Sequence, residues 1–261
     1  ILEHSLHLRI TKTSFFDCEA RECGGGAFEG KSALISYVCG SHCKANFCQF
    51  VYINNTEVQF RTDLNSSSIY KCCPNEDRIT DCGGICGFIG SQYMIDVNQS
   101  NNCMNGGPTC FYYKSNKILI RHSCFTQCFG SLHGMIHPFI ANSNNSALYD
   151  RINFCNQTYY GNPKNSMLHT HRMNLYIRDS RFKHNVWRYF YIYQCNVYLS
   201  GCIFDRSTDG IVCNRLITGD SVFNAHDVQT YDYNMFNSKP CEVNLGDPVS
   251  DVISTRKLKS F

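Results

Sequence analysis

The sequence predicts an all-β fold, a single-stranded right-handed parallel β-helix of about nine coils stapled by disulfides. Three observations predict it. A short module recurs down the chain, alternating apolar segments succeed one another without an intervening helix, and glycine clusters punctuate them. The module is clearest from Phe15 to Phe28, where an aromatic is followed three places later by Cys18, then by a polar loop and by Gly24, Gly25 and Gly26 leading into Ala27 and Phe28. Phe125 to Cys128 and Phe182 to Asn185 repeat the aromatic step, and Cys82 to Phe88 repeats the glycine step. Self-similarity at a spacing of a few tens of residues is the mark of stacked units.

Each unit is expected to open with a short strand, because the apolar runs have period 2 and none sustains period 3.6. The marker residues, in order, are Leu8 and Ile10, Leu34 and Ile35, Val58 and Phe60, Ile95 and Val97, and Leu119 and Ile120. Leu148 and Ile152, Leu175 and Ile177, Val197 and Leu199, and Leu216 and Ile217 continue the series. A second apolar run follows each opening strand after a turn, from Ala27 and Phe28 in the first unit to Val228 to Tyr231 in the last. The glycine runs Gly24 to Gly26, Gly83-Gly84 and Gly106-Gly107 read as corners, where positive φ or close backbone approach suits a residue without Cβ. Asp63 to Asp81 and Ser143 to Asn165 are polar with little apolar pattern and read as loops bulging from single coils. The division expected is a β-helix domain over 1–236 and a tail or partial cap over 237–261.

Composition narrows the class. The 261 residues are 43% hydrophobic, enough for a continuous core, and include 18 cysteines, an even number that points to an oxidising compartment. Sequons at Asn54, Asn65, Asn98, Asn144 and Asn156 agree with a secreted or cell-surface glycoprotein. The net charge of +3, with scattered Lys and Arg, argues against nucleic-acid binding. No stretch approaches the ~18 apolar residues of a transmembrane segment. The chain opens at Ile1 with no Met and no signal-like apolar region, as a mature product would after signal removal.

Phe15-x-x-Cys18, Phe125-x-x-Cys128 and Phe182-x-x-Asn185, with the Gly-Gly-apolar runs at Gly25 to Phe28 and Gly83 to Ile85, resemble the FxxN and GGA[ILV] repeats of the polymorphic outer-membrane proteins and their β-helix relatives. Cysteine-rich versions also resemble surface proteins of parasitic and gut protists. The resemblance implies a β-helical surface or secreted protein of adhesive or structural type, with no catalytic residues to carry over.

Cys39, Cys82 and Cys124 are each followed four residues later by another cysteine, at Cys43, Cys86 and Cys128. Further cysteines stand at Cys18, Cys23, Cys48, Cys72, Cys73, Cys103, Cys110, Cys155, Cys195, Cys202, Cys213 and Cys241. Equivalent positions of neighbouring coils lie ~4.8 Å apart, within the Cα separation of a disulfide. Disulfides are therefore expected for most of them, with a stack of buried thiols and a metal site as the alternatives. No metal is expected, since paired CxxC with histidines at zinc-ligand spacing is absent.

Parallel β-helices also serve as pectate lyases and other polysaccharide-active enzymes, which need clustered carboxylates. The candidates for that alternative are Asp179, Asp205 and Asp220, at roughly one-unit spacing. The plainer reading is that an Asp after a strand caps its own turn. His169-x-His171 beside His184 has no partner at the spacing of a recognised site. The run Tyr189 to Tyr193 reads as core and surface in alternation, with a sugar-stacking face as the alternative. No cofactor is expected, since P-loop and dinucleotide fingerprints are both absent. Only ILEHS precedes the first strand, with no covering helix, so head-to-tail self-association into a filament is expected. The expectation is a non-enzymatic structural or adhesive glycoprotein, with host or matrix glycans or surface proteins as partners.

Overall fold

The computed structural model describes residues 2–21, 23–72, 84–104, 110–130, 136–139, 145–159, 166–186 and 189–233. These residues form a parallel β-solenoid, and every registered strand pair among them is parallel. No α-helix occurs among the described residues, and a single 3-10 turn spans Thr208–Gly210. No helix is long and apolar enough to cross a membrane.

Each coil runs through three main sheets, with a short further one of Cys103–Met104, Phe129–Gly130 and Thr158–Tyr159 after the third. The inward residues stack in columns because a strand's side chains alternate and its neighbours are in register. On the first sheet Val51, Ile85, Cys110, Ile136, Leu168, Phe190 and Ile211 succeed one another. On the second, Ile10, Ile35, Leu64, Met94, Ile120, Tyr149, Ile177 and Leu199 do so. On the third, the column is Phe15, Gly40, Ile69, Gln99, Phe125, Phe154, Phe182 and Phe204, and a bridge from Ile203 to Val222 adds the level of Phe223. Five of these phenylalanines form a ring stack, with centroids 5.1 Å apart from Phe125 to Phe154, 5.1 Å to Phe182, 4.3 Å to Phe204 and 4.7 Å to Phe223.

The corners are built differently from the glycine expectation. Lys12, Tyr37, Ser66, Asp96, His122, Arg151 and Asp179 turn the chain from second to third sheet with φ between 46° and 57°, and only Gly201 and Gly219 take that place as glycines. Asp17, His42, Lys71, Asn101, Gln127, Asn156 and His184 turn it away from the third sheet in the same left-handed conformation. Gly24 to Gly26 are absent from these positive-φ corners. Gly24 and Gly25 serve close approach instead: a Cβ would lie 2.4 Å from the Gln49 carbonyl at Gly24 and 2.5 Å from the Phe50 carbonyl at Gly25. Gly83, Gly106 and Gly107 lie outside the described residues.

Three strand boundaries differ from the sequence reading. Val58 and Phe60 precede a strand that begins at Arg61, and Arg61–Tyr70 occupies much of the stretch expected to be a loop. Ser146–Asp150, Asn153–Cys155 and Thr158–Tyr159 likewise form strands inside the second expected loop. Polar composition misleads here because outward strand positions and the corners take polar residues, as Asp63, Asn65 and Lys71 do. Finally, the segment around Val228 is no strand. It runs back along the third sheet, where Asn153 Nδ2 donates to the Tyr231 carbonyl at 2.7 Å and the Tyr231 amide donates to Asn153 Oδ1 at 3.1 Å. The expected tail over 237–261 lies outside the described residues.

Candidate binding surface

The outward side of the second sheet carries an apolar ridge. Tyr93, Leu119, Leu148, Tyr176, Tyr198 and Ile217 occupy one register position on successive strands. At ~4.8 Å per strand this row extends about 24 Å. Tyr176 and Tyr198 stack at 4.7 Å with an interplanar angle of 10°, and Tyr176 is 38% exposed. The Arg61 guanidinium lies 3.9 Å from the Tyr93 ring centroid. Along one flank Asp150, nearly buried, sits between Arg121 at 3.0 Å and Arg178 at 3.4 Å, so the border of the ridge is an ion-paired ladder across three coils.

A second aromatic surface lies on the outward side of the first sheet. Phe47, Tyr52, Phe88, Phe111 and Tyr113 contact one another in sequence, at centroid separations of 5.0 to 6.2 Å. Farther along that sheet, Phe190 and Ile192 are buried while Tyr193 is 51% exposed, so the expected alternation holds from Phe190 on, whereas Tyr189 just before the strand is buried beside Phe190. Trp187 and Arg188 lie outside the described residues.

The cysteines divide by position. Cys39 and Cys103 are disulfide-bonded. The other thirteen described cysteines are thiols, which corrects the expectation of general stapling; Cys73, Cys82 and Cys241 lie outside the described residues. Cys18, Cys43, Cys72 and Cys128 point inward at one corner, three residues after the stacked position of the third sheet, in a column shared with Asn102, Gln157 and Asn185. Cys23, Cys48 and Cys86 form a separate small cluster beneath Phe47, Tyr52, Phe88 and Phe111. Cys110 is a core residue of the first sheet, and Cys202 belongs to a corner column, with its amide donating to Ser221 Oγ at 3.2 Å. Cys195 accepts from the Met173 amide, while Cys124 and Cys155 lie on the third sheet and Cys213 just after the last strand of the first. Burial pushes nearly all of these thiols upward, Cys110, Cys128 and Cys155 to about 12.

The three carboxylates do not meet on one face. Asp179 turns the corner between second and third sheets. Asp220 reaches that corner one coil farther on, accepting from the Gly201 amide at 2.6 Å and from Ser200 Oγ at 3.1 Å. The Gly201 amide thereby holds the Asp220 carboxyl below its ordinary range. Asp205 belongs to the far end of the third sheet, where it accepts from Tyr189 Oη at 2.5 Å and from the His184 amide. Asp205 and Asp220 thus cap the backbone of the coil before their own. His184 is a corner residue and His169 packs on Tyr191 at 5.4 Å, so the histidines are also separated. No group of three or more His, Cys, Asp or Glu among the described residues is arranged to hold a metal ion.

Of the sequons, Asn54, Asn65 and Asn98 lie within strands, half-buried, and Asn156 is an exposed corner residue. Asn144 lies outside the described residues. The ridge and the aromatic patch escaped the sequence reading, because their members come from successive coils, those of the ridge 19 to 29 places apart in the chain. Knowing the register is what turns those scattered residues into a surface. The chain matches no family model, no curated protein and no solved structure.

Proposed function

We propose that the chain is a structural and adhesive module of a secreted or cell-surface glycoprotein, and that the ridge from Tyr93 to Ile217 is its adhesive face. The ridge is the observation that carries this reading. A contiguous apolar row on the solvent side of a sheet is a partner surface, since isolated exposed apolar residues are ordinary but long rows of them are not. Tyrosines suit the role, offering large rigid rings with a polar tip at low entropic cost. The disulfide-bonded Cys39 and Cys103 and the exposed sequon at Asn156 support the extracellular setting. Copies are proposed to stack end to end, because Leu2–Thr11 and Arg215–Ile217 each pair on one side only among the described residues.

A carbohydrate-binding role is the second reading, favoured by the aromatic patch from Phe47 to Tyr113. The polysaccharide-cleaving version is disfavoured by the separation of Asp205 from Asp179 and Asp220. Negative-stain electron microscopy of the oxidised, glycosylated protein tests stacking: filaments are expected, and dispersed rods at high concentration would refute it. Binding to glycan arrays and to cell-surface protein, compared between the native chain and a Tyr176→Ser, Tyr198→Ser double variant, tests the face. The variant is expected to lose at least tenfold in binding, and unchanged binding would reject the ridge.

A further inference from the structure

Two groups of three thiols share one design near the start of the solenoid. Cys18, Cys43 and Cys72 stand at one corner of three successive coils. The register fixes this through the bridge from Glu19 to Lys44 and the pairing of Ser41 with Tyr70. Cys43 is in hydrogen-bond contact with both neighbours. Cys48 contacts both Cys23, directly opposite it, and Cys86. In each group the thiol of the first coil is half-buried while the other two have no exposed surface. Three sulfurs in a row hold one disulfide and leave one thiol, so an even cysteine count does not translate into complete pairing here.

From this geometry we infer that each group is a thiol–disulfide exchange site for low-molecular-weight disulfides, which reacts at the outer thiol and passes the bond inward. In the first step the Cys18 thiolate attacks one sulfur of the external disulfide RSSR, forming a mixed disulfide and releasing RS⁻. Cys43 then attacks Cys18 Sγ, and the second RS⁻ leaves. Cys72 finally attacks Cys43 Sγ and returns Cys18 as a thiol. The net change converts two protein thiols and RSSR into one protein disulfide and two RSH, the two protons passing from the protein thiols to the released thiolates. Cys23, Cys48 and Cys86 follow the same course.

The inward direction follows from solvation. With the bond between Cys43 and Cys72, the remaining S–H sits at the half-exposed position, where water reaches it; with the bond between Cys18 and Cys43, it sits wholly buried. Loop closure does not oppose the move, because its cost grows only slowly with loop length and the two closures differ little. Side-chain hydrogen bonds, first that with Cys72, also lower the Cys43 thiol to about 7, while burial raises that of Cys18. In the first group the central sulfur is therefore suited to attack at neutral pH, whereas in the second burial raises the Cys48 thiol, so that group is expected to exchange more slowly.

Tryptic cleavage after Lys12, Arg21 and Lys31 isolates Cys18 and Cys23 on separate peptides, which makes the relay testable. The reduced, folded protein is treated with oxidised glutathione, alkylated and mapped by mass spectrometry. The native chain is expected to lose two thiols per group while Cys18 and Cys23 remain alkylated. Cys72→Ser is expected to stop the relay one step earlier, with Cys18 linked to the peptide carrying Cys43. Cys43→Ser is expected to accumulate glutathione on Cys18. The equivalent variants Cys86→Ser and Cys48→Ser give an independent reading in the second group. Glutathione retained on Cys18 in the native chain, a stable bond from Cys18 to Cys43 there, or no loss of thiols would overturn the relay.

Discussion

Three residues after the stacked position of the third sheet, one inward place is filled in turn by Cys18, Cys43, Cys72, Asn102, Cys128, Gln157 and Asn185. Cys18 and Cys72 bond within their own coil, to Phe16 and Tyr70, and a single task unites the other five. Cys43 donates to the Phe15 carbonyl, Asn102 to Ile69, Cys128 to Gln99, Gln157 to Phe125 and Asn185 to Phe154, each reaching the coil before its own. The amides do more, because Asn102 Oδ1 also accepts from the Cys72 amide at 2.9 Å and Asn185 Oδ1 from the Gln157 amide at 3.0 Å. Asn185→Ala strands a buried donor and a buried acceptor and is expected to cost about 1–3 kcal/mol, read as a lower urea midpoint. Asn185→Cys keeps the donor and is expected to fall between the two; a cysteine variant no better than alanine would show that the column is filled for volume alone. The equivalence of Cys and Asn was legible in the sequence, where Phe15-x-x-Cys18 and Phe182-x-x-Asn185 have the same form. The reduced state of Cys18, Cys43 and Cys72 was not, because spacing alone does not say whether sulfurs in one column are bonded or only adjacent.

At the scale of the element, the corner between second and third sheets shows how a coil is tied to the next. Ser67, Ser123, Ser180 and Ser221 follow left-handed or turn positions, and their hydroxyls accept the amides of Val38, Val97, Ile152 and Cys202 in the preceding coil at 3.1 to 3.2 Å. Serine and an apolar residue thus alternate along the column. Each apolar member fills space while the serine above it satisfies its N–H. Ser123→Ala leaves the Val97 amide buried without its acceptor, and a loss of about 1–3 kcal/mol is expected. Hydrogen exchange at Val97 should accelerate with it, and an unchanged rate would remove the tie. The strands themselves were largely legible, since pairs such as Leu175 and Ile177 or Val197 and Leu199 are inward neighbours on the second sheet. The corners were misread for a physical reason: a single left-handed residue suffices to turn the chain, and polar residues accept that conformation without announcing it, so the eye goes to glycines that serve close approach.

Across the whole molecule the third-sheet column divides the solenoid in two. From Phe125 to Phe223 it is an unbroken stack of rings, whereas before it the column holds Gly40, Ile69 and Gln99. Gly40 admits the Phe50 ring, since a Cβ there would lie 2.3 Å from it, and that part of the column is filled from another strand. Gln99 is different. It is fully buried, its Nε2 donates to Cys110 Sγ at 2.9 Å, and its Oε1 has no hydrogen-bond partner. In a solenoid, stability is the sum of each coil's own terms and its contacts with two neighbours, so one unsatisfied group at a junction weakens the coupling between the halves. Gln99→Leu replaces the stranded amide with an apolar side chain between Ile69 and Phe125. It is expected to stabilise the chain by about 1–3 kcal/mol, the desolvation cost of one unpaired buried group. The gain should be largest in hydrogen exchange on the two strands that flank the junction, Arg61–Tyr70 and Cys124–Thr126, and small at Arg215–Ile217. An equal gain along the whole chain would mean that the solenoid unfolds as one unit and that Gln99 marks no boundary. A loss of stability would mean instead that the contact with Cys110 outweighs the unpaired oxygen, and that the junction is held by polarity.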